Sequence, residues 1–418
     1  MSAEGVCACV PPLAYRLGRA FASMQAAHPG HRPSVSAAGL VIAETSQDHH
    51  GTITGPKAVW FGPVAALHLR CAQMPAQKQA GLAQPGPWLV ADIGGTNARF
   101  GWVATPDGGI EHVVTLACAD HAGPAAAAKA YLTQVAPQLG QAHPVPRVGA
   151  FAVATAVGGD RIAFTNSGWE FSRRATCAEL GLDELRVLND FEALALALPR
   201  LGPTQWRPVG LPGVTQQHAQ PAEPGPGCVM AVIGPGTGLG VGAVVATPAG
   251  WQALPGEGGH STLAASDELE SAVLAYLRSH HSHVSAERLL SGIGLPLLHQ
   301  ALQVVAGQPG GPLLQASEIV EYGVSGADQG CTDALETFSA LLGSFAGNVA
   351  LTVGARGGVY IGGGIVPRFE ALFMRSRFRE RFEAKGRLRP YLEQVPTRLI
   401  TDTLAALTGA ASVLRAPG

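Results

Sequence analysis

From residue 88 onward, short apolar runs alternate with segments of helical periodicity. The first run, Leu89-Val90-Ala91, ends at Asp92 and a glycine turn, and an apolar run returns from Phe100. Strand residues on both sides of a glycine turn are typical of a β-hairpin. Further strands are predicted at 148–153, 185–188, 228–233, 241–245 and within 357–365. Helices are predicted at 124–136, 191–198, 268–280, 335–353 and 404–413, with one more starting at Ser285 as its N-cap. This alternation predicts an α/β fold.

Residues 1–87 have a different pattern. They are rich in Ala, Gly, Pro, Gln and His and show no sustained periodicity, so we expect a poorly ordered N-terminal extension that ends at Pro85-Gly86-Pro87. The proline-rich segment 200–227 is a second boundary. We therefore expect a small α/β domain at 88–200, completed by a C-terminal helix at 399–418, and a large α/β domain at 201–398.

Composition excludes several classes of protein. The 28 Lys and Arg residues and 30 Asp and Glu residues give a net charge of −2, and without a basic surplus we expect no nucleic-acid partner. No window holds 18 uninterrupted apolar residues, so no membrane span is expected. The seven cysteines are scattered, which argues against a disulfide framework and for a reducing compartment, the cytoplasm.

Two glycine turns are candidates for phosphate binding. The first is Gly94-Gly95-Thr96-Asn97, and the second lies within Gly234-Pro-Gly-Thr-Gly-Leu-Gly240. Glycines allow backbone N–H groups to approach an anion closely, and Asp92, at the end of its strand, has the oxygen ligands that Mg²⁺ prefers. Either turn alone is equally consistent with an ordinary hairpin. Two similar turns predict two half-domains that face one ligand.

Several polar residues occur where loops or helices begin. Asp190 follows a strand and precedes a helix, a usual place for a functional side chain in an α/β sheet, although it could equally serve as a helix N-cap. Glu257 and His260 share the loop Leu254–His260, and Glu287 follows Ser285. Glu257 and His260 could instead be solvated loop residues. Glu287 could be a first-turn acid that interacts favourably with the helix dipole. His280, His281 and His283 are best read as a polar helix end, without carboxylate or Cys partners at ligand spacing.

The order of these motifs resembles the bacterial-type glucokinases of the hexokinase/actin-like ATPase superfamily. The resemblance covers roughly residues 88–418. Related sugar kinases carry a cysteine-rich zinc motif after the histidine, whereas this chain has no Cys between Cys228 and Cys331 and resembles the zinc-free branch. The matching segments are Asp92–Arg99, Leu188–Phe191, Gly234–Gly240, Leu254–His260, Ser285–Gly292 and Gly357–Ile365.

The resemblance implies a two-domain actin-like ATPase (ribonuclease H-like) fold with a cleft, and phosphorylation of D-glucose at the 6-hydroxyl by ATP with Mg²⁺. It implies that Asp190 is the general base and a sugar ligand, and that Asp92 orients Mg²⁺ through water. Homodimers are common in the family. The implied sugar contacts are Asn166, Asn189, Glu257, His260 and Glu287. The implied nucleotide contacts are Asp92, Gly94, Gly95, Thr96, Asn97, Gly234, Gly236, Thr237, Gly238, Gly362, Gly363 and Gly364.

Three alternatives remain at this point. The first is a kinase for another hexose, because the width of a pocket does not follow from residue spacing. The second is a sugar-sensing regulator without turnover, which would lack Asp190 or add a DNA-binding helix pair. The third is an actin-like structural ATPase, which would not need the Leu188–Phe191 and Leu254–His260 segments. The sequence also leaves ATP and polyphosphate open as donors.

Overall fold

The computed structural model describes residues 86–139, 144–164, 168–210, 225–308, 311 and 313–415. All of them belong to one compact unit, Ala80–Gly418. The expected N-terminal extension therefore lies outside the described residues, apart from its last two positions. The expected sugar contact Asn166 also lies outside them.

The first sheet has five strands in the order β3-β2-β1-β4-β7. The predicted hairpin is confirmed, because β1 and β2 pair antiparallel across the glycine turn. β4 and β7 then add in parallel beside β1. The elements of this half are β1 (Trp88–Ile93), β2 (Asn97–Val103), β3 (Glu111–Ala117), α1 (Pro124–Leu139), β4 (Val148–Val153), the separate pair β5 (Arg161–Ala163) and β6 (Glu170–Ser172), α2 (Arg173–Leu180) and β7 (Glu184–Asn189).

Helix α3 (Asp190–Ala197) follows β7 directly and contacts both halves of the unit. Its Ala193 packs with Leu188 and with residues of the first sheet. Its Ala195 and Ala197 pack with Met230 and other residues of a second sheet. The small side chains allow the helix to lie close to both sheets, so its first residue is held at their junction.

The second sheet has six strands in the order β11-β10-β9-β12-β13-β8. A second glycine hairpin joins β9 and β10, which pair antiparallel, while β12 and β13 add in parallel beside β9. The strands are β8 (Trp206–Pro208), β9 (Val229–Pro235), β10 (Leu239–Thr247), β11 (Gly250–Leu254), β12 (Gly358–Ile361) and β13 (Thr397–Ile400). The helices of this half are α4 (Glu268–Arg278), α5 (Gly294–Val305), α6 (Ala316–Ser325), α7 (Gln329–Val353), α8 (Glu370–Arg375), α9 (Phe378–Glu383) and α10 (Arg389–Glu393).

Helix α7 is the core helix of the second half. Its predicted apolar stripe, from Leu335 to Val349, is buried, and Gly343 and Gly347 bring its backbone close to α9. Among the described residues, α7 is the one helix whose length and apolar composition would suffice to cross a membrane. However, 78% of its apolar window is buried inside the molecule.

Two predicted helices differ from the structure. Residues 286–293 form bends and turns, and the next helix begins at Gly294. Ser285 Oγ does accept a hydrogen bond from the Arg288 N–H, at 3.2 Å, but this contact closes a turn and no helix continues from it. The segment 399–418 is not helical from its start, because its first two residues complete β13. Helix α11 covers Ala405–Ser412.

Candidate active site

Asp92 and Asp190 lie at the same edge of the first sheet. In the parallel register, Asp92 of β1 pairs with Ala152 of β4, and the next residue of β4, Val153, pairs with Asn189 of β7. The two carboxylates therefore leave the carboxyl ends of strands that flank β4. This edge is where ligands bind in open α/β sheets.

The environment of Asp190 makes its carboxylate more basic than usual. Burial, and then the nearby negative charge of Asp92, raise the pKa of Asp190 to about 6. Backbone N–H donors act in the opposite direction, and the N–H of Phe191 donates to Asp190 Oδ1 at 3.0 Å. The ionised form of Asp190 thus predominates at neutral pH while it remains a stronger base than an exposed carboxylate.

Asn189 is the N-cap of α3, so the capping alternative considered for Asp190 is wrong. Asn189 Oδ1 accepts from the backbone N–H groups of Phe191 at 2.9 Å and Glu192 at 3.3 Å. Its Nδ2 donates to the carbonyl oxygen of Thr155 at 3.2 Å. These bonds fix the junction of strand and helix.

Asp92 lines a cavity of about 280 Å³ at the tip of the first glycine hairpin. The other lining residues are Gly94, Gly95, Thr96, Asn97 and Arg99. Arg99 Nη1 lies 3.6 Å from Asp92 Oδ2 and donates to the carbonyl oxygen of Thr403 at 2.7 Å. Burial raises the pKa of Asp92, and the Arg99 charge partly opposes this shift. The cavity therefore combines backbone N–H groups, two polar side chains, one half-buried acid and the guanidinium of Arg99.

Phe191 connects the general-base candidate to the second glycine hairpin. A Cβ at Gly234 or Gly240 would collide with the Phe191 ring, and one at Gly242 would lie 2.7 Å from the Phe191 carbonyl oxygen. The glycines of this hairpin thus make room for the residue after Asp190. The tip of the hairpin, which contains Gly236, Thr237 and Gly238, is consequently held beside the start of α3.

The third glycine segment lies beside the same hairpin. The Gly362 N–H donates to the carbonyl oxygen of Ile233 at 2.8 Å, and the Ile365 N–H donates to that of Pro235 at 3.2 Å. Gly363 has φ +77, and a Cβ there would collide with the Pro235 carbonyl oxygen. Gly363 and Gly364 are exposed, whereas Gly362 is buried.

Glu287 joins the predicted sugar-binding loop to the second hairpin. Its Oε2 accepts from the Leu239 N–H at 2.9 Å, and its backbone N–H donates to the carbonyl oxygen of Gly259 at 2.9 Å. His260 Nδ1 lies 3.8 Å from Glu287 Oε1. Glu257 and His260 are exposed, and Glu287 is half-buried. Their exposure leaves the side chains of Glu257 and His260 open to a ligand.

Apart from Asn166, the predicted site residues thus form one connected region around the start of α3. Sequence reasoning missed two partners that connect them: Arg99 beside Asp92, and Phe191 against the glycines. Arg99 and Phe191 belong to the matched motifs, but no local pattern reveals their contacts. Among the described residues, His280, His281 and His283 form no metal-ligand group. His283 Nε2 lies 3.1 Å from Thr262 Oγ1.

Several known proteins are similar to this chain. The family model Glucokinase matches residues 89–417. The chain is 47% identical over 334 residues to a glucokinase from Chromobacterium violaceum, with 80% of this chain and 91% of the relative covered. It is 46% identical to one from Paramagnetospirillum magneticum, with 79% and 98% covered. The crystal structure of a glucokinase from an Antarctic psychrotroph is similar, with a TM-score of 0.70 and 38% identity over 79% of this chain and 99% of that chain.

The structural likeness confirms the predicted two-domain actin-like ATPase fold. The match runs through almost the whole of the described unit and includes both glycine hairpins, the start of α3 and the third glycine segment. The sequence motifs, the geometry of the site and the relatives agree, and the chain belongs to the glucokinase family.

Proposed function

We propose that this site transfers the γ-phosphoryl group of ATP to the 6-hydroxyl of D-glucose, giving glucose 6-phosphate and ADP. The family assignment supports glucose as the acceptor and ATP as the donor. The observation that carries the chemistry is Asp190, a basic carboxylate with a pKa of about 6 at the start of α3. The product is the form in which glucose enters glycolysis, and we infer that the reaction takes place in the cytoplasm.

Asp190 acts as the general base. As the 6-hydroxyl oxygen attacks the γ-phosphorus, its proton passes to the carboxylate of Asp190. The Asn189 cap and the packing of Phe191 hold this carboxylate in place, which reduces the reorganisation needed on the way to the transition state. Phosphoryl transfer depends mainly on such positioning and on charge neutralisation.

The sugar is bound by polar groups around the same helix start. Asn189, Glu257, His260 and Glu287 hydrogen-bond the other hydroxyls, with Asn166 as a further contact. Glu287 uses one carboxylate oxygen for the Leu239 N–H and keeps the second, near His260, for the sugar. A pocket built on such groups rejects sugars with a misplaced hydroxyl, because its polar atoms would be left unpaired.

The glycine segments bind the nucleotide. The backbone N–H groups of the two hairpin turns, with Thr96, Asn97 and Thr237, bind the phosphates. The participating glycines are Gly94, Gly95, Gly234, Gly236 and Gly238. The exposed glycines Gly363 and Gly364, next to Gly362, leave a flat surface for the adenosine.

The residues around Asp92 fit a magnesium ion. Asp92 and Asp190 place two negative charges close together in a half-buried position, and a hard divalent cation would relieve their repulsion. Asp92 would hold the ion through water. When bound, the ion neutralises phosphate charge. Arg99 orients the Asp92 carboxylate for this role.

Residues 88–200 with α11 form the small domain and residues 201–398 the large domain of this proposal. The two sheets have separate cores, which supports closure of the two domains around glucose. Closure would exclude water, the competing acceptor of the phosphoryl group. The enzyme is proposed to act as a homodimer.

A coupled assay over a panel of hexoses, with ATP or polyphosphate as donor, tests the proposal. The wild type is expected to turn over glucose with ATP, and Asp190→Asn to be nearly inactive while folded. Asp107→Asn, which changes an exposed acid, is the matched control. Binding of glucose without turnover of any hexose would instead indicate a sugar sensor, and faster turnover of another hexose would change the substrate.

A further inference from the structure

His299, Asp328 and Cys331 come together outside the proposed active site. His299 lies on α5, Asp328 is the N-cap of α7, and Cys331 lies in the first turn of α7. One potential ligand atom from each residue lies within 4.8 Å of the other two. Among the described residues, this is the one group of three or more His, Cys, Asp or Glu side chains with such spacing.

The distances suit a tetrahedral cation. Cys331 Sγ lies 3.8 Å from His299 Nε2. In a tetrahedral zinc site, sulfur and nitrogen ligands at normal bond lengths are about 3.6 Å apart. Asp328 Oδ1 accepts from the Cys331 N–H at 2.8 Å, which holds the carboxylate over the first turn of α7 and leaves Oδ2 for a cation.

The burial of two of the three groups also suits a cation. His299 is 4% exposed and Cys331 0% exposed, whereas Asp328 is exposed. His299 Nε2, the ring nitrogen that lies near Cys331 Sγ, is the ligand atom of this residue. Coordination by Cys331 displaces the thiol proton to solvent, and the thiolate is then neutralised by the cation.

The group borders a cavity of about 530 Å³. His299 lines this cavity together with Gln303, Gln329, Gly330 and Asp333, and Gln303 Nε2 lies 3.4 Å from His299 Nε2. The cavity provides an entry path and room for a water molecule. A site with three protein ligands and one water is therefore geometrically complete.

We propose that His299, Asp328 and Cys331 bind a divalent cation of the zinc class, with water from the cavity as the fourth ligand. The mixed sulfur, nitrogen and oxygen set favours such a cation over Mg²⁺ or Ca²⁺, which prefer oxygen ligands alone. The bound cation fastens α5 to the start of the core helix α7. This site is separate from the segment after His260, where related sugar kinases carry their cysteine-rich motif.

Titration of the metal-free full chain with Co²⁺ tests the proposal directly. A thiolate-to-cobalt absorption band is expected in the wild type, and zinc should abolish it by competition. Cys331→Ser is expected to lose this band. Cys118→Ser is the matched control, because Cys118 is another buried free thiol, and it should keep the band. The Cys7→Ser/Cys9→Ser double variant tests the close cysteine pair of the N-terminal segment. Persistence of the full band in Cys331→Ser would overturn the proposal.

Thermal unfolding supplies a second, independent measurement. Zinc should raise the Tm of the wild type and of Cys118→Ser, since a ligand that binds the folded state stabilises it. Asp328→Asn keeps an oxygen that can cap α7 but removes the charged ligand, and its zinc-dependent shift is expected to fall by more than half. An equal shift in Asp328→Asn and the wild type would contradict the proposed ligand set. Neither measurement depends on kinase activity.

Discussion

The side chain of Glu287 accepts a hydrogen bond from the backbone N–H of Leu239 at 2.9 Å. A residue proposed to bind the sugar is thereby tied to the first residue of β10, directly after the second glycine turn. The turn proposed to bind phosphate and the loop proposed to bind glucose thus share one carboxylate. Loss of this carboxylate is expected to affect both substrates.

For Glu287→Ala, we expect the KM for glucose to rise at least tenfold. The change removes a sugar ligand and leaves a buried N–H unpaired, which costs about 1–3 kcal/mol. Glu287→Gln keeps an acceptor oxygen for Leu239 and should retain more activity. Steady-state kinetics with varied glucose would measure both effects. Glu321→Ala is the control, because its side chain is exposed, and an equal KM in both alanine variants would refute the role of Glu287.

The activity should depend on pH through Asp190. Its pKa of about 6 means that the basic, ionised form is lost below that pH, so kcat/KM should fall about tenfold per pH unit on the acid side. The measurement is a pH profile of kcat/KM with saturating ATP. Asp190→Asn should lose at least about 100-fold in kcat and show no such acid limb. An unchanged acid limb in that variant would assign the titration to another group.

The same carboxylate should reduce stability at neutral pH. Because the pKa of Asp190 is higher in the folded protein than its usual value of 3.8, the folded state binds the proton more tightly than the unfolded state. The free energy of unfolding therefore decreases as the pH rises from about 4 to about 6, and the loss persists above that range. Asp190→Asn should thus have a higher Tm than the wild type at pH 7.5, with the difference shrinking toward pH 4. A lower Tm at pH 7.5 would contradict this account.

Two adjacent glycines offer a matched test of the third glycine segment. Gly363→Ala introduces a Cβ at φ +77 that would collide with the Pro235 carbonyl oxygen, whereas a Cβ at Gly364 would meet no atom within 4 Å. We expect Gly363→Ala to lower the Tm by several degrees and to raise the KM for ATP, because the segment must move away from β9. Gly364→Ala should fold normally. Equal stability of the two variants would show that the segment accommodates the side chain.

Gly409 allows α11 to lie against α3. A Cβ at this position would collide with the carbonyl oxygen of Ala193. Gly409→Ala is expected to destabilise the protein by about 1–3 kcal/mol, as over-packing in a core does. Gly123→Ala is the control, because a Cβ there meets no atom within 4 Å. Chemical denaturation of both variants would measure the difference, and a stable Gly409→Ala would mean that the helices separate at little cost.

The sequence predicted those strands and helices whose signals are local, among them β1, β2, α3 and α7. Apolar runs, glycine turns and the strand-to-helix step at Asp190 are all complete within about ten residues. The predicted helix at Ser285 is wrong. A Ser hydroxyl that accepts a hydrogen bond from the backbone N–H three residues later can cap a helix, but the same bond also closes a simple turn. The hydrogen bond between the Leu239 N–H and the Glu287 side chain holds this region against β10. It joins residues far apart in sequence, so no local pattern predicts it.

The arrangement of the site depends in the same way on distant partners. The Phe191 ring requires glycines in another sheet, and the raised pKa of Asp190 requires burial and the charge of Asp92. His299 and Cys331 likewise lie on different helices. Residue types and their order identified the family, but the distances and pKa shifts arise from tertiary packing.

Helix α11 has a consequence for biosynthesis. It lies against β1 and α3, and its Leu407 and Ala410 share a core with Trp88 and Val90. On the ribosome, β1 emerges several hundred residues before the helix that covers it. This face of the first sheet therefore stays uncovered until translation has passed residue 412, and a nascent chain truncated before Ala405 would expose it to chaperones.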